Sequence, residues 1–211
     1  MPIVAVIFDA FGTVVQIGRR GHPFRKLLRL GALQGRRPSA SDLHRLMTSN
    51  LNLDAAAETF GIYVSPEQMK SLQHDLEDEL DSIRVYPDAI DALRVLKTEG
   101  VATGICSNLA APYGPVLRQH LSDVDGFALS YDVGVMKPHP DIYREICHQL
   151  GVFPGLDMPH SDERVAMIGD SVQCDRDGPK AVGISGFHLD RKGKGPISCL
   201  MQFAELALKT A

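Results

Sequence analysis

Ile3-Val4-Ala5-Val6-Ile7-Phe8-Asp9-Ala10-Phe11-Gly12-Thr13 is the stretch on which the fold turns. Six consecutive apolar residues, four of them β-branched, precede the first acid. A half-exposed strand would alternate with polar residues, so the run reads as a strand buried on both faces. It stops at a carboxylate, and Gly12 then permits a tight turn. A strand that ends on an acid sits where open α/β sheets bind their ligands.

Working outward, four later runs repeat the pattern. Val101 to Cys106 follows Gly100 and ends at Ser107-Asn108, Phe127 to Leu129 is short, Val165 to Ile168 ends at Gly169-Asp170, and Gly186 to Leu189 closes the series. Helical patterns lie between them. Pro87 suits the first turn of a helix carrying Ile90, Leu93 and Leu96 and stopped by Gly100, and Ile142, Ile146 and Leu150 recur before Gly151. Strands alternating with helices predict an α/β fold, a Rossmann-like doubly wound parallel sheet with helices on both faces. The interval from Val14 to Arg84 breaks that rhythm. It offers helical patterns at Asp42 to Met47, Leu51 to Phe60 and Pro66 to Leu80 but no convincing strand. The expected organisation is a core domain from residues 1–14 and 85–211, with a helical cap at 15–84 inserted after the first strand. Leu200, Phe203, Leu206 and Leu208 predict a last helix docked on the core.

Composition agrees with this plan. A chain of 211 residues with 44% hydrophobic and 23% charged residues can bury a sizeable core without cross-links, which excludes wholesale disorder and a disulfide-stapled module. The net charge of -4 exerts no overall pull toward nucleic acid or membrane. No run approaches the ~20 apolar residues of a membrane span. Cys106, Cys147, Cys174 and Cys199 form no Cys-x-x-Cys pair, which predicts thiols in a reducing cytoplasm. Charge is nonetheless uneven along the chain. Arg19, Arg20, Arg25, Lys26, Arg29, Arg36 and Arg37 occur with no acid between Asp9 and Asp42, while Asp75, Glu77, Asp78, Glu79 and Asp81 form an acidic counterpart. These read as two solvated faces that pair with each other, or as a basic wall guiding a small anionic substrate. No interleaved aromatics support nucleic-acid binding.

Four polar elements follow the strands or their loops: Asp9-x-x-Gly12-Thr13, Ser107-Asn108, Lys137-Pro138, and Gly169-Asp170-Ser171 with Asp175. Each alone reads as a cap, a turn or a surface dipeptide. In this order they resemble the four motifs of the haloacid dehalogenase superfamily, over nearly the whole chain from Ile3 to about Asp190. The resemblance implies that Asp9 is a carboxylate nucleophile forming a covalent intermediate. It implies that Thr13 and Ser107 hydrogen-bond the transferring oxygens, that Asn108 orients the substrate, and that Lys137 supplies positive charge beside the nucleophile. Asp170 looks like a metal ligand together with Asp9 and the backbone carbonyl of Phe11. Asp175 resembles an outer acid that binds metal-bound water or fixes Lys137; on spacing alone it also fits a helix N-terminal acid. Two facing carboxylates beside a dianionic phosphoester repel, and Mg²⁺ is the hard cation that offsets this.

One position departs from the phosphatase pattern. Family phosphatases carry a second Asp two residues after the nucleophile, as general acid and base, and here that position is Phe11. Asp-Ala-Phe-Gly-Thr instead resembles the 2-haloacid dehalogenase branch, where a halide leaves without a proton and without a metal, while Asp170 resembles the phosphatases. Three readings follow. The first is Mg-dependent hydrolysis of a small phosphorylated metabolite or activated phosphoester. The second is 2-haloacid dehalogenation, with Arg36 or Arg37 contacting halide or carboxylate. The third is a catalytically weakened binding protein. The resemblance implies that substrate choice resides largely in the cap, and the motifs fix neither substrate nor oligomeric state. Lesser candidates read as structural: His160-Ser161-Asp162 as a polar loop, Cys106 as a packing residue, and Gly193-Lys194-Gly195 as a connection. His139 is either a surface histidine or a substitute for the missing acid.

Overall fold

In a computed structural model, residues 2–157 and 163–209 are described. The opening run forms β1 (Ile3–Phe8), at the centre of a five-stranded sheet. Its neighbours are β4 (Ala102–Ser107) on one side and β6 (Arg164–Gly169) on the other, with β5 (Gly126–Leu129) and β7 (Ser185–His188) outermost. Every pairing in this sheet is parallel.

Alternation along β1 shows why the run is apolar throughout. Val6 and Phe8 join the core on the face covered by α5 (Pro87–Thr98) and α9 (Leu200–Lys209). Ala5 and Ile7 join the core on the opposite face, under α8 (Pro140–Gln149). Ala166 and Ile168 against Val165 and Met167 repeat the division on β6. Chain order reverses direction at β1, so the crevice beyond the carboxyl ends of β1, β4 and β6 is the switch point where such sheets bind ligands.

Two sequence expectations need correction. The interval after β1 does contain strands: β2 (Val15–Ile17) pairs antiparallel with β3 (Ile83–Val85), Val15 opposite Val85. They form a short ribbon at the two ends of a helical segment. Within α5, the buried positions are Ala89, Ala92 and Leu96, whereas Ile90 is 51% exposed. Alanines allow α5 to lie close to α9 and the sheet, and that rotates Ile90 outward.

Between β2 and β3 run α1 (Pro23–Leu33), α2 (Ala40–Met47), α3 (Leu53–Thr59) and α4 (Pro66–Asp81). Ser39 and Asp42 close a capping box on α2, Asn52 caps α3, and Ser65 with Gln68 closes a box on α4. These helices bury Leu27, Leu46, Leu53, Phe60 and Leu72 together, and Ala110 and Tyr113 from beyond β4 join the same cluster. Tyr113 opens α6 (Tyr113–His120), and α7 (Ser130–Val133) follows β5 directly. Among the described residues no helix is long and apolar enough to cross a membrane. The four cysteines are unpaired thiols.

Candidate active site

Asp9 leaves the end of β1 buried, and its two carboxylate oxygens have different partners. Oδ1 accepts from Lys137 Nζ at 2.9 Å and from Ser107 Oγ, the last residue of β4, at 3.2 Å. Oδ2 accepts from Thr13 Oγ1 at 3.3 Å, and the Thr13 hydroxyl in turn accepts from the Asp170 backbone N–H at 3.1 Å. Three strand ends thus meet at one carboxylate.

Lys137 reaches the site from the loop between α7 and α8. Its ammonium is buried and also donates to Asp175 Oδ1 at 2.6 Å. Burial alone disfavours the ammonium, but Asp9 and then Asp175 outweigh it and hold the lysine charged, with its pKa well above the ordinary value. Asn108 fixes this loop: its Oδ1 accepts from Lys137 N at 2.7 Å and its Nδ2 donates to Lys137 O at 3.0 Å.

Asp175 lies in a π-helical segment, Val172–Asp177, beyond β6. Its second oxygen accepts from the Ser171 N–H at 2.9 Å, so both oxygens are engaged inside the protein. Of the two family roles for this acid, the geometry matches the one that fixes Lys137. Burial, followed in part by the charge of Asp9, raises its pKa despite Lys137.

Asp170 stands at the lip. The residue as a whole is exposed, yet partial burial of its carboxyl, followed by the charges of Asp9 and Asp175, raises its pKa. Gly12, at φ 84°, lets the turn pass directly beneath it, and a Cβ there would collide with the Asp170 carboxylate. Asp9, Asp170 and Asp175 offer oxygens within 4.8 Å of one another. Three carboxylates against the single Lys137 ammonium leave a formal charge of -2. A hard cation on oxygen donors fits that set.

The other candidates lie elsewhere. His139 caps α8 with its own ring, Nδ1 accepting from Asp141 N at 3.3 Å. Burial pushes the Cys106 thiol up to about 12, as befits an inert packing residue. Gly193 turns the chain after β7, ahead of α9. His160-Ser161-Asp162 lies outside the described residues. Arg36 makes a two-pronged salt bridge to Asp42, at 2.7 and 2.6 Å, and is thereby committed within the helical segment.

A cleft of about 480 Å³ opens beside the site, lined by Phe11 and Asn108 on one side and by residues of the helical segment on the other. Its arginines are Arg20 and Arg25 rather than the expected Arg36 and Arg37, and His22 lies between them in the lining. Sequence reading also missed Arg191, whose Nη2 donates to Thr13 O at 2.6 Å and so holds the turn after Asp9 from behind. Its position just past β7, on the edge of the sheet, carries no local signal of that contact.

Residues 3–183 match the family of haloacid dehalogenase-like hydrolases. The chain belongs to that family. This haloacid dehalogenase-like hydrolase is 29% identical over 175 residues to (S)-2-haloacid dehalogenase 1 of Pseudomonas sp. (strain CBS-3), covering 72% of this chain and 73% of that one. It is 28% identical over 133 residues to phosphoserine phosphatase of Thermus thermophilus, covering 60% of this chain and 49% of the phosphatase. Among solved structures, a HAD phosphatase from Thermococcus onnurineus superposes with a TM-score of 0.63 at 24% identity, covering 98% of this chain and 97% of that one. A 2-haloacid dehalogenase from Pseudomonas syringae pv. Tomato superposes at 0.64 with 19% identity, covering 99% and 100%. These likenesses place the hydrolase on the fold shared by both chemistries.

Proposed function

We propose that this hydrolase is a Mg²⁺-dependent phosphatase of a small anionic substrate, with Asp9 as nucleophile. The observation that carries the reading is Asp170: a third carboxylate beside Asp9 and Asp175, set against a single ammonium, repels its neighbours unless a cation offsets it. Asp9, Asp170 and the backbone carbonyl of Phe11 would hold the ion. When bound, Mg²⁺ offsets the charge shared by the carboxylates and a phosphoryl group.

The remaining roles belong to the chain itself. Thr13 and Ser107 orient the Asp9 carboxylate in the free site, and their hydroxyl hydrogens swing to phosphoryl oxygens once substrate is bound. Lys137, charged and buried, attracts the phosphoryl group to Asp9, and Asp175 with Asn108 positions it. Residues 15–84 serve as a cap unit over the strand ends, closing the cleft and selecting the substrate. The four free thiols suit work in a cytoplasm.

A second reading, 2-haloacid dehalogenation, is favoured by Phe11 in place of a general acid and by the 73% coverage of (S)-2-haloacid dehalogenase 1. One experiment separates the two: phosphate release from a panel of phosphoesters and halide release from 2-haloacids, each with and without EDTA, for wild type and Asp9→Asn. The phosphatase reading expects phosphate release that EDTA abolishes and that the variant lacks. Halide release indifferent to EDTA would replace it with the second reading.

A further inference from the structure

We infer, resting on the phosphatase reading, that the cleft holds the leaving-group side of an aryl phosphate whose ring carries a second acidic group. The cleft's volume of about 480 Å³ exceeds what a phosphoryl group alone needs, and Phe24, Leu28, Leu43, Leu46 and Met47 make most of its wall apolar. A sugar would bring hydroxyl groups there with few partners, at a desolvation cost. An aromatic ring loses nothing by entering.

The wall nearest Asp9 is itself aromatic and held in place. Phe11 meets Tyr113 edge to face, with centroids 5.8 Å apart. The Tyr113 hydroxyl donates to the buried Glu79, whose other oxygen accepts from the His22 N–H at 2.9 Å. Glu79 therefore ties together α4, the turn before α1 and α6, and His22 keeps a left-handed φ of 54° in that turn. Arg20 lies in the segment leading into that turn, and Arg25 lies in the first turn of α1. Arg20 and Arg25 line the cleft with no carboxylate partner among the described residues, whereas Arg19, Lys26 and Arg36 are paired with Asp78, Asp75 and Asp42. Unpaired cations in the wall of a mostly apolar cleft suit an anionic substituent on the body inside it.

The chemistry at the other end points the same way. Asp9 Oδ attacks phosphorus, the phosphorus–oxygen bond to the ring breaks, and the electron pair leaves on the aryl oxygen. Phe11 stands where an acid would, and the Glu79 carboxylate that also lines the cleft is engaged by Tyr113 and the His22 N–H, so among the described residues no carboxyl is free to protonate that oxygen. A phenolate departs unprotonated far more readily than an alkoxide, and takes its proton from water afterwards. Water then attacks the aspartyl phosphate at phosphorus, releasing inorganic phosphate and restoring the carboxylate.

The test compares kcat/KM for 4-carboxyphenyl phosphate, phenyl phosphate and acetyl phosphate, in wild type and in Arg20→Gln/Arg25→Gln. Calorimetric titrations of phenylphosphonate and 4-carboxyphenylphosphonate accompany it, as a readout free of turnover. Expected are a KM about three- to tenfold lower for the carboxylated ester than for phenyl phosphate, a matching preference in binding, and a ratio near one in the double variant. Acetyl phosphate, activated but lacking a ring, is expected to turn over with the highest KM. Turnover of acetyl phosphate equal to or better than both aryl esters, or a ratio indifferent to the double variant, would overturn the inference and leave the phosphatase reading standing. Release of phosphate from none of the three would overturn both.

Discussion

On the phosphatase reading, position 11 decides what this site can expel. The Phe11 ring faces the cleft beside Tyr113, and no carboxyl stands two residues after Asp9. Phe11→Asp is therefore expected to raise turnover of an alkyl phosphate such as glycerol 2-phosphate by up to roughly 10²-fold, the lower range for positioned proton transfer. Brisk wild-type turnover of that ester would contradict the account. Asp170 supports a second expectation. Its pKa, raised first by partial burial and then by the charges of Asp9 and Asp175, marks a carboxylate whose ionised form a cation would favour, so Mg²⁺ should stabilise the fold, by about 5–10 °C in melting temperature at a hundredfold excess over Kd. Protons compete for the same oxygens, and the raised pKa means the effect fades at a higher pH than it would for an ordinary carboxylate. Asp170→Ala should abolish the shift; an equal shift in the variant would place the ion elsewhere. Asp9, Asp170 and Lys137 were legible as residue types in order along the chain. The contact of Asp175 with Lys137 was anticipated only as one of two roles that the resemblance implied, and that of Asn108 with the Lys137 backbone was not, because it depends on how the loop before α8 folds back.

At the scale of elements, β1 was legible because burial on two faces demands an unbroken apolar run, which few other structures do. The β2–β3 ribbon was not: three-residue strands show no period, and Val15 meets its partner only after four helices have intervened. The helix from Pro23 was also missed, its apolar stripe being crowded by the basic run. Two predictions belong here. Arg191 clamps the turn after Asp9 to α5, reaching both oxygens of Asp88 at 3.1 Å, donating to Thr13 O and stacking on Tyr86 with its guanidinium 3.8 Å from the ring centre. Arg191→Met should destabilise the fold by about 1–3 kcal/mol in urea unfolding and lower kcat as well. Stability lost without any change in kcat would confine Arg191 to packing. In α2, the Arg36 guanidinium and the Ser39 N–H hold the Asp42 carboxyl down at about 2. A depressed carboxylate pKa adds stability above the unfolded value, and that stability is lost as pH falls toward about 2. The stability gap between wild type and Asp42→Asn should thus shrink steadily from pH 5 to pH 3. A gap constant across that range would show that the pairing contributes nothing.

Across the whole molecule, function is divided by layer. The parallel sheet brings three strand ends to one carboxylate, and the helical segment supplies most of the cleft wall that faces them. The uneven charge of the sequence divides the same way. Part of the basic run is neutralised against the acidic face of α4, through Lys26 with Asp75 and Arg19 with Asp78, while Arg20 and Arg25 turn to the cleft. Sequence alone carried both readings of that run because pairing depends on which side of α1 and its preceding turn each residue occupies. The central claim for the molecule is that Asp9 becomes covalently bonded to the group being transferred. Quenching turnover of an activated phosphoester with borohydride reduces an acyl phosphate to an alcohol, so peptide mass spectrometry should find homoserine at position 9. Unmodified Asp9 during active turnover, or reduction at a different carboxylate, would contradict the account.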